Sequence, residues 1–480
     1  MNCILKWELE TAPVSRYDFR GTGAVLFLQS KKRECILAES EMGNRMKKPE
    51  KVEVAKLREE TIARNGSMGR RALLRSALVS AGMAAGIAVA SADVARADDN
   101  PGADAPEWMK TPGRPFSAYG TPSRWQEKVQ RIFTIAPGRD GTGVSRTPLH
   151  LLEGTITPGG LHFERHHNGV PDIDPARHEL FIHGMVGRPL AFSLDALMRY
   201  PMETHIHFVE CSGNSGIFNQ PQPQQVTAGE LNGLISCSEW TGVKLSTLLA
   251  EAGVTKQAKW VIAEGGDAAA MSRSIPLEKC LDDAMIALYQ NGEAIRPEQG
   301  FPMRLLLPGF EGNMNVKWLR RLNVTDAPVD ARDETSHYTE LMPGGKARQF
   351  LFAQDAKSAI VKPSFGMTMK GAGLYEISGL AWSGAGRISK VEVSTNGGKT
   401  WALAALDGPV LPKAVTRFRL PWHWDARPAT LMSRATDETG GTQPTRSSWL
   451  AQYAPGQQYH FNGIQSWSIE ADGTVKNVYA

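Results

Sequence analysis

Cysteine is scarce in this sequence. There are five in 480 residues; Cys3 and Cys35 lie near the N-terminus, and only Cys211, Cys237 and Cys280 follow residue 97. So sparse and odd a set does not suggest a disulfide framework and leaves at least one thiol to explain. Long apolar runs are missing too. Ser76 to Ala92 is built mainly of Ala, Gly, Val and Met, short and mild against the ~20 strongly apolar residues of a membrane span. No repeat of 20–50 residues is present, and no Cys-x-x-Cys-His for covalent haem. Net charge is only +4 and unevenly spread. Residues 1–97 hold 17 Lys and Arg against 11 Asp and Glu, leaving 37 against 39 in the rest, so nucleic-acid binding has no support. With 41% hydrophobic and 22% charged residues, a disordered chain, a collagen and a coiled coil are excluded as well. Forty-seven Gly and 29 Pro favour strands and loops over long helices.

The N-terminus reads as an export leader. Arg70-Arg71 precedes Ala72-Leu73-Leu74-Arg75 and the Ala/Gly-rich run, and Ala95-Arg96-Ala97 supplies the small residues of a cleavage site. A twin arginine before a weakly apolar stretch is the pattern of the Tat route, which carries proteins already folded around a cofactor. The competing reading is a membrane anchor. The expected arrangement is an N-terminal extension and signal over 1–97, a mature protein in the periplasm, and no span in that mature part. Met42, Met46 and Met68 are alternatives to Met1 as the start.

Four further segments are expected. Residues 98–148 form an irregular Pro-, Gly- and Arg-rich arm. Residues 149–325 alternate short strands (179–183, 205–209, 303–307) with short helices (194–200, and 244–252 capped by Gly253), a mixed α+β pattern without βαβ regularity. Residues 326–348 read as a linker. Residues 349–480 switch to period-two alternation, as in Leu374 to Trp382 and Ile388 to Ser394, with a turn at Asn396-Gly397-Gly398, and predict an immunoglobulin-like β-sandwich.

Three stretches could carry chemistry. In Phe208-Val-Glu-Cys211-Ser-Gly213-Asn214-Ser-Gly216 a cysteine ends an apolar strand and enters a Gly/Ser/Asn loop. It is either a core cysteine or an accessible thiolate suited to a metal. In Phe163-Glu164-Arg165-His166-His167 adjacent histidines would point to opposite sides of a strand, so they are poor joint zinc ligands; a solvated basic loop and an anion-binding loop both remain. Arg304 sits within the apolar run Phe301 to Pro308, with Lys317 not far beyond. A charge there needs a partner, either an internal Asp or an enclosed phosphate.

Taken together, from about Phe163 to Trp467, the chain resembles the sulfite oxidase family of molybdopterin enzymes. The motifs are Cys211-Ser-Gly213-Asn214, Trp240-Thr-Gly242-Val-Lys-Leu245, Ser274-Ile-Pro-Leu277, Gly300-Phe-Pro-Met-Arg304, Val316-Lys317-Trp318-Leu319 and Asn396-Gly-Gly398-Lys-Thr-Trp401, in family order. The resemblance implies an α+β molybdopterin-binding domain followed by an Ig-like dimerisation domain. It implies a molybdenum–molybdopterin cofactor with Cys211 as the metal's protein ligand. Phe163, Glu164, Arg165, His166, His167, Asp267, Gln299, Arg304, Asn315, Val316 and Lys317 would lie around the cofactor, Arg165 also facing substrate. Gln299 stands where the family usually has histidine. Leu288 stands where the catalytic tyrosine is expected, with Tyr289 beside it, and Asn462 where a substrate-binding arginine of the β-domain is expected.

These departures point, within the family, to the sulfane dehydrogenases of thiosulfate oxidation. The implied activity is oxidation of sulfane sulfur on a carrier protein by oxo transfer, with a c-type, dihaem cytochrome taking the electrons and the chain a homodimer within a heterotetramer. The alternatives are a dehydrogenase of free sulfite and, in a different class, a non-catalytic periplasmic binding or scaffold protein.

Overall fold

The computed structural model describes residues 105–139, 141–335 and 337–480. The leader expected over 1–97 lies outside them. The first strands are β1 (Ile132–Ile135), β2 (Gly143–Arg146) and β3 (Glu164–His166), a small antiparallel sheet in that order. Ten more follow: β4 (Glu179–Gly184), β5 (Leu190–Ser193), β6 (Met202–Glu210), β7 (Ile235–Lys244), β8 (Trp260–Gly265), β9 (Ser272–Pro276), β10 (Met285–Gln290), β11 (Glu293–Ala294), β12 (Arg304–Leu306) and β13 (Leu319–Thr325). They form two five-stranded sheets, β5-β4-β13-β8-β9 and β11-β10-β7-β6 with β12 also on β10. Only the β4–β13 pairing between them is parallel.

Periodicity explains the elements. In β4, Leu180 and Ile182 are buried while Glu179 and Phe181 are exposed, the alternation of a strand with one covered face. The helix Leu245–Ala252 buries Leu245, Leu248, Leu249 and Ala252, spacings of three and four that make one stripe. Each buried leucine there contributes about 2 kcal/mol. Gly253 closes the helix at φ +73°. Gly242 is required by packing: a Cβ there would lie 2.1 Å from the Ile286 carbonyl oxygen on β10.

Beyond β13 the segment expected as a linker is structured. It holds a helical turn, Arg332–Thr335, and a hairpin of β14 (Glu340–Met342) and β15 (Lys346–Arg348). Glu334, Tyr338 and Glu340 are buried. The cause is tertiary: Glu334 accepts from the Ser274 hydroxyl at 2.9 Å and pairs with Arg273 at 3.6 Å.

Nine strands complete the chain: β16 (Lys357–Lys362), β17 (Gly373–Trp382), β18 (Ile388–Ser394), β19 (Ala402–Leu403), β20 (Ala405–Leu406), β21 (Thr416–Trp424), β22 (Ala429–Asp437), β23 (Ser466–Ile469) and β24 (Val475–Val478). They make two sheets, β16-β17-β21-β20 and β19-β18-β22-β23-β24, whose inner faces meet through Ile377, Trp382, Val391, Phe418, Leu431 and Trp467. This is the expected β-sandwich on an α+β domain. Its core is continuous with Leu149, Phe208, Phe218, Ile235 and Cys237 of the first domain. Among the described residues no helix is long and apolar enough to cross a membrane.

Candidate functional site

Cys211 follows the last residue of β6 and starts a tight loop. Its N–H donates to Leu234 O at 2.9 Å, and its carbonyl accepts from the Asn214 N–H at 2.9 Å. The Asn214 side chain bolts that loop down: Nδ2 donates to Glu210 Oε1 at 2.8 Å and Oδ1 accepts from Leu234 N at 3.1 Å. This accounts for Asn in Cys-x-Gly-Asn, since an amide can donate and accept at once. Gly312 packs against the loop so closely that a Cβ would lie 2.7 Å from Glu210 O and 3.2 Å from Cys211 Cα. Burial pushes the Cys211 thiol up, opposed by the Gly213 N–H and the Arg165 charge. Cys237 and Cys280 are buried, with thiols pushed up by burial. Cys211 alone of the three opens into a cavity.

That cavity is lined by His162, Phe163, Arg165, His166, His167, Val209, Cys211, Asp267, Gln299, Arg304, Asn313, Asn315, Val316, Lys317, Trp318 and Tyr338, among others. Arg304, on β12, is 2% exposed. It donates to the carbonyls of Gln299 at 3.1 Å and Asn315 at 2.9 Å and lies over the Trp240 ring at 5.1 Å. Its Nε, buried, has no partner. Burial alone lowers its pKa from 12.5 to about 9. Lys317 donates to Arg165 O, His166 Nδ1 and Glu298 O at 3.2, 3.0 and 3.1 Å, and burial beside Arg304 pushes it well below its ordinary value. No carboxylate pairs with either cation among the described residues.

The histidines are held neutral. Burial lowers His162 and His166 to about 3 and His167 to about 4. His162 donates from Nδ1 to Phe163 O at 3.0 Å, so its buried, unpartnered Nε2 presents a lone pair. His166 accepts from Lys317 at Nδ1, leaving Nε2–H to donate to Glu164 at 2.8 Å. Glu164 in turn pairs with Arg131. On the outer side of Cys211 a second cavity opens, lined by Arg139, Thr142, Arg165, His167, Arg332, His337, Tyr338 and Tyr459 among others. Tyr338 bonds His167 Nε2 at 3.1 Å and packs on Tyr459 with ring centroids 5.5 Å apart. Burial raises its pKa.

Of the residues singled out in the sequence, Phe163, Arg165, His166, His167, Cys211, Asp267, Gln299, Arg304, Asn315, Val316 and Lys317 all line the inner cavity. Three residues lie elsewhere. Glu164 stands one step back, orienting His166. Tyr289 is outside both cavities, its hydroxyl 3.7 Å from Met198 Sδ on the surface. Asn462 is buried, donates to Ala356 O at 3.2 Å and touches neither cavity. The sequence reading missed His162, Tyr338, Tyr459, Arg139 and Arg332. Only His162, next to Phe163, lay within reach of a motif.

The family described as "Oxidoreductase molybdopterin binding domain" matches residues 167–332, and "Mo-co oxidoreductase dimerisation domain" matches 348–466. Human mitochondrial sulfite oxidase is 33% identical over 296 residues, covering 58% of this chain and 53% of that protein. NADH nitrate reductase of Volvox carteri is 29% identical over 412 residues, covering 78% and 48%. The chain thus spans about half the length of these curated relatives. In the crystal structure of the sulfane dehydrogenase SoxCD from Paracoccus pantotrophus, one chain superposes with a TM-score of 0.76 at 45% identity, covering 78% of this chain and 98% of that one. The chain therefore belongs to the sulfite oxidase family of molybdopterin oxidoreductases.

Proposed function

We propose that this chain is the molybdenum-bearing subunit of a periplasmic sulfur-compound dehydrogenase. It acts on sulfane sulfur carried by a partner protein and passes electrons to a separate c-type cytochrome. The observation that carries the reading is the junction at Cys211 of an inner cavity holding two buried cations without a carboxylate ion pair and an outer, arginine-lined one.

The residues fit a molybdopterin. Arg304 Nε is a buried donor with no acceptor, and His162 Nε2 a buried lone pair with no donor; an anionic, N–H-bearing ligand answers both. Among the described residues no group of three or more His, Cys, Asp or Glu could hold a metal ion. A metal at Cys211 must therefore take its other ligands from outside the protein, as a dithiolene provides. When bound, the cofactor supplies the two-electron redox couple and the oxygen transferred to sulfur. Cys211 holds the metal. Arg304 and Lys317 hold the anionic end, with His162, Asp267 and Gln299 available to the ring's polar edge. Arg165 faces both cavities and orients negative charge toward Cys211. The hydrogen bond between His167 Nε2 and the Tyr338 hydroxyl fixes that phenol over the outer cavity.

The chain carries no haem-attachment motif, consistent with an external electron acceptor. The twin-arginine leader supports export, and the dimerisation-type sandwich supports a homodimer. A second reading, oxidation of free sulfite, is favoured by one observation. The β-domain cation absent at Asn462 is matched by Arg139 and Arg332, which line the outer cavity with Arg165. The test is kcat/KM per molybdenum on sulfite and on a carrier bearing sulfane sulfur, with cytochrome c as acceptor. Preference for the carrier is expected; efficient turnover of free sulfite alone would promote the second reading.

A further inference from the structure

The Cys211 loop is held from behind by the β-sandwich. Glu210, 2% exposed, directly precedes the cysteine. Lys357, at the start of β16, reaches across the domain boundary and donates to Glu210 Oε1 at 3.0 Å and to Ser215 Oγ at 2.8 Å. Trp382, at the end of β17, donates from Nε1 to Glu210 Oε2 at 2.7 Å. The His460 N–H donates to Ser212 O at 2.7 Å. Both ends of the loop, Glu210 and Ser215, are thus tied to one ammonium of the other domain. Ser215 needs the tie, since it is held at φ +65°, a costly conformation for a residue with a side chain.

We propose that Lys357 and Trp382 are positioning residues for Cys211: the sandwich sets the direction of the thiolate as well as joining protomers. This rests on the reading of Cys211 as the metal's ligand. Groups one step removed from a metal ligand govern its orientation, and misplacement of a reacting centre by about 1 Å costs up to ~100-fold in rate. A carboxylate that accepts from an ammonium, an indole and an amide has its oxygens fixed from three directions, and the backbone leading into Cys211 is fixed with it.

The test uses holoenzyme variants with three readouts: molybdenum per chain, the sulfur-to-metal absorption band, and kcat per molybdenum. Lys357→Met is expected to keep the metal, shift the band and lower kcat about 10-fold or more with KM little changed. Lys357→Arg, which keeps a cation able to reach Glu210, is expected to recover much of both. Where Lys357→Met gives no folded protein, Trp382→Phe decides, because it removes one hydrogen bond and keeps the ring. A lower melting temperature with unchanged band and unchanged kcat per molybdenum would show a purely structural tie and overturn the proposal. Cys211→Ser is the control. If it leaves the band in place, the reading of Cys211 fails and the inference with it; a band lost in Cys211→Ser but untouched in the other variants refutes the positioning role alone.

Discussion

Arg304→Met separates a structural arginine from a cofactor-binding one. In the folded protein the guanidinium is pushed from 12.5 to about 9 by burial alone, a desolvation cost on the order of 5 kcal/mol. Methionine fills similar volume and removes that cost. It also strands the carbonyls of Gln299 and Asn315, now bonded at 3.1 and 2.9 Å, at about 1–3 kcal/mol each, and loses the stacking on Trp240, worth about 1–2 kcal/mol. The terms nearly cancel, so the cofactor-free protein should change in stability by less than about 3 kcal/mol. The loaded protein should not be spared. Losing a desolvated cation against an anionic ligand costs roughly 2–5 kcal/mol, or about 30- to 5,000-fold in affinity. The assay pairs molybdenum and pterin content of the purified variant with denaturant unfolding of the cofactor-free form. Full loading would refute the reasoning. So would a loss beyond about 5 kcal/mol in the cofactor-free form, which would make Arg304 a brace between two backbones.

Lys317→Met should likewise lower cofactor content, measured as molybdenum per chain. Cys211→Ser should abolish turnover while circular dichroism and melting stay near those of the parent, because oxygen is a harder and weaker donor to molybdenum than thiolate; Cys237→Ser and Cys280→Ser, in the core, should keep activity. Stability should fall as pH drops from 7 toward 4. His162 and His166 take up protons only near 3 when folded but near 6.5 when unfolded, so acid favours the unfolded chain by about 1.4 kcal/mol per pH unit per histidine. Denaturant midpoints from pH 7.5 to 4.5 would check this, and His162→Gln should flatten the slope. Asn462→Arg should destabilise by about 3 kcal/mol or more and leave the KM for sulfite unimproved, because the site is buried and lines neither cavity; a lower KM would contradict that placement.

What was legible in the sequence follows from where the information is local. Strands such as Glu179–Gly184 announce themselves because one face is covered and alternation records it. The inner cavity was legible because motif residues carry backbone constraints: Gly at 242, the amide at 214, a charge inside an apolar run at 304. The outer cavity was not. Tyr338 lies among Gly, Pro and charged residues that read as a linker, and it is buried only because distant groups gather around it, including Arg273 at 5.2 Å from its ring and His167 on its hydroxyl. Tyr289 stands apart from the site for a different reason. It neighbours Leu288 on β10, but a bulge between Ala287 and Tyr289 breaks the strand's alternation: Leu288 is buried in the core, whereas Tyr289 packs half-buried at the edge of that same core with its hydroxyl beside Met198, away from both cavities.

The charges also separate site from scaffold. Elsewhere in the described residues, buried cations have carboxylates: Arg273 with Glu311 and Glu334, Lys279 with Asp283, Lys357 with Glu210. Such pairs offset their own desolvation and need nothing from outside. Arg304 and Lys317 have neutral carbonyls and a neutral imidazole instead. Those acceptors fix the direction of each cation without cancelling its field. The positive potential is therefore stored in the cavity wall, and folding alone leaves it only partly compensated, through the Asp267 and Glu298 charges near Lys317. A ligand that brings negative charge completes the electrostatics that the protein leaves open, so cofactor insertion should stabilise this domain well beyond what its contact area implies, and the gain should shrink in Arg304→Met and Lys317→Met but persist in Lys357→Arg.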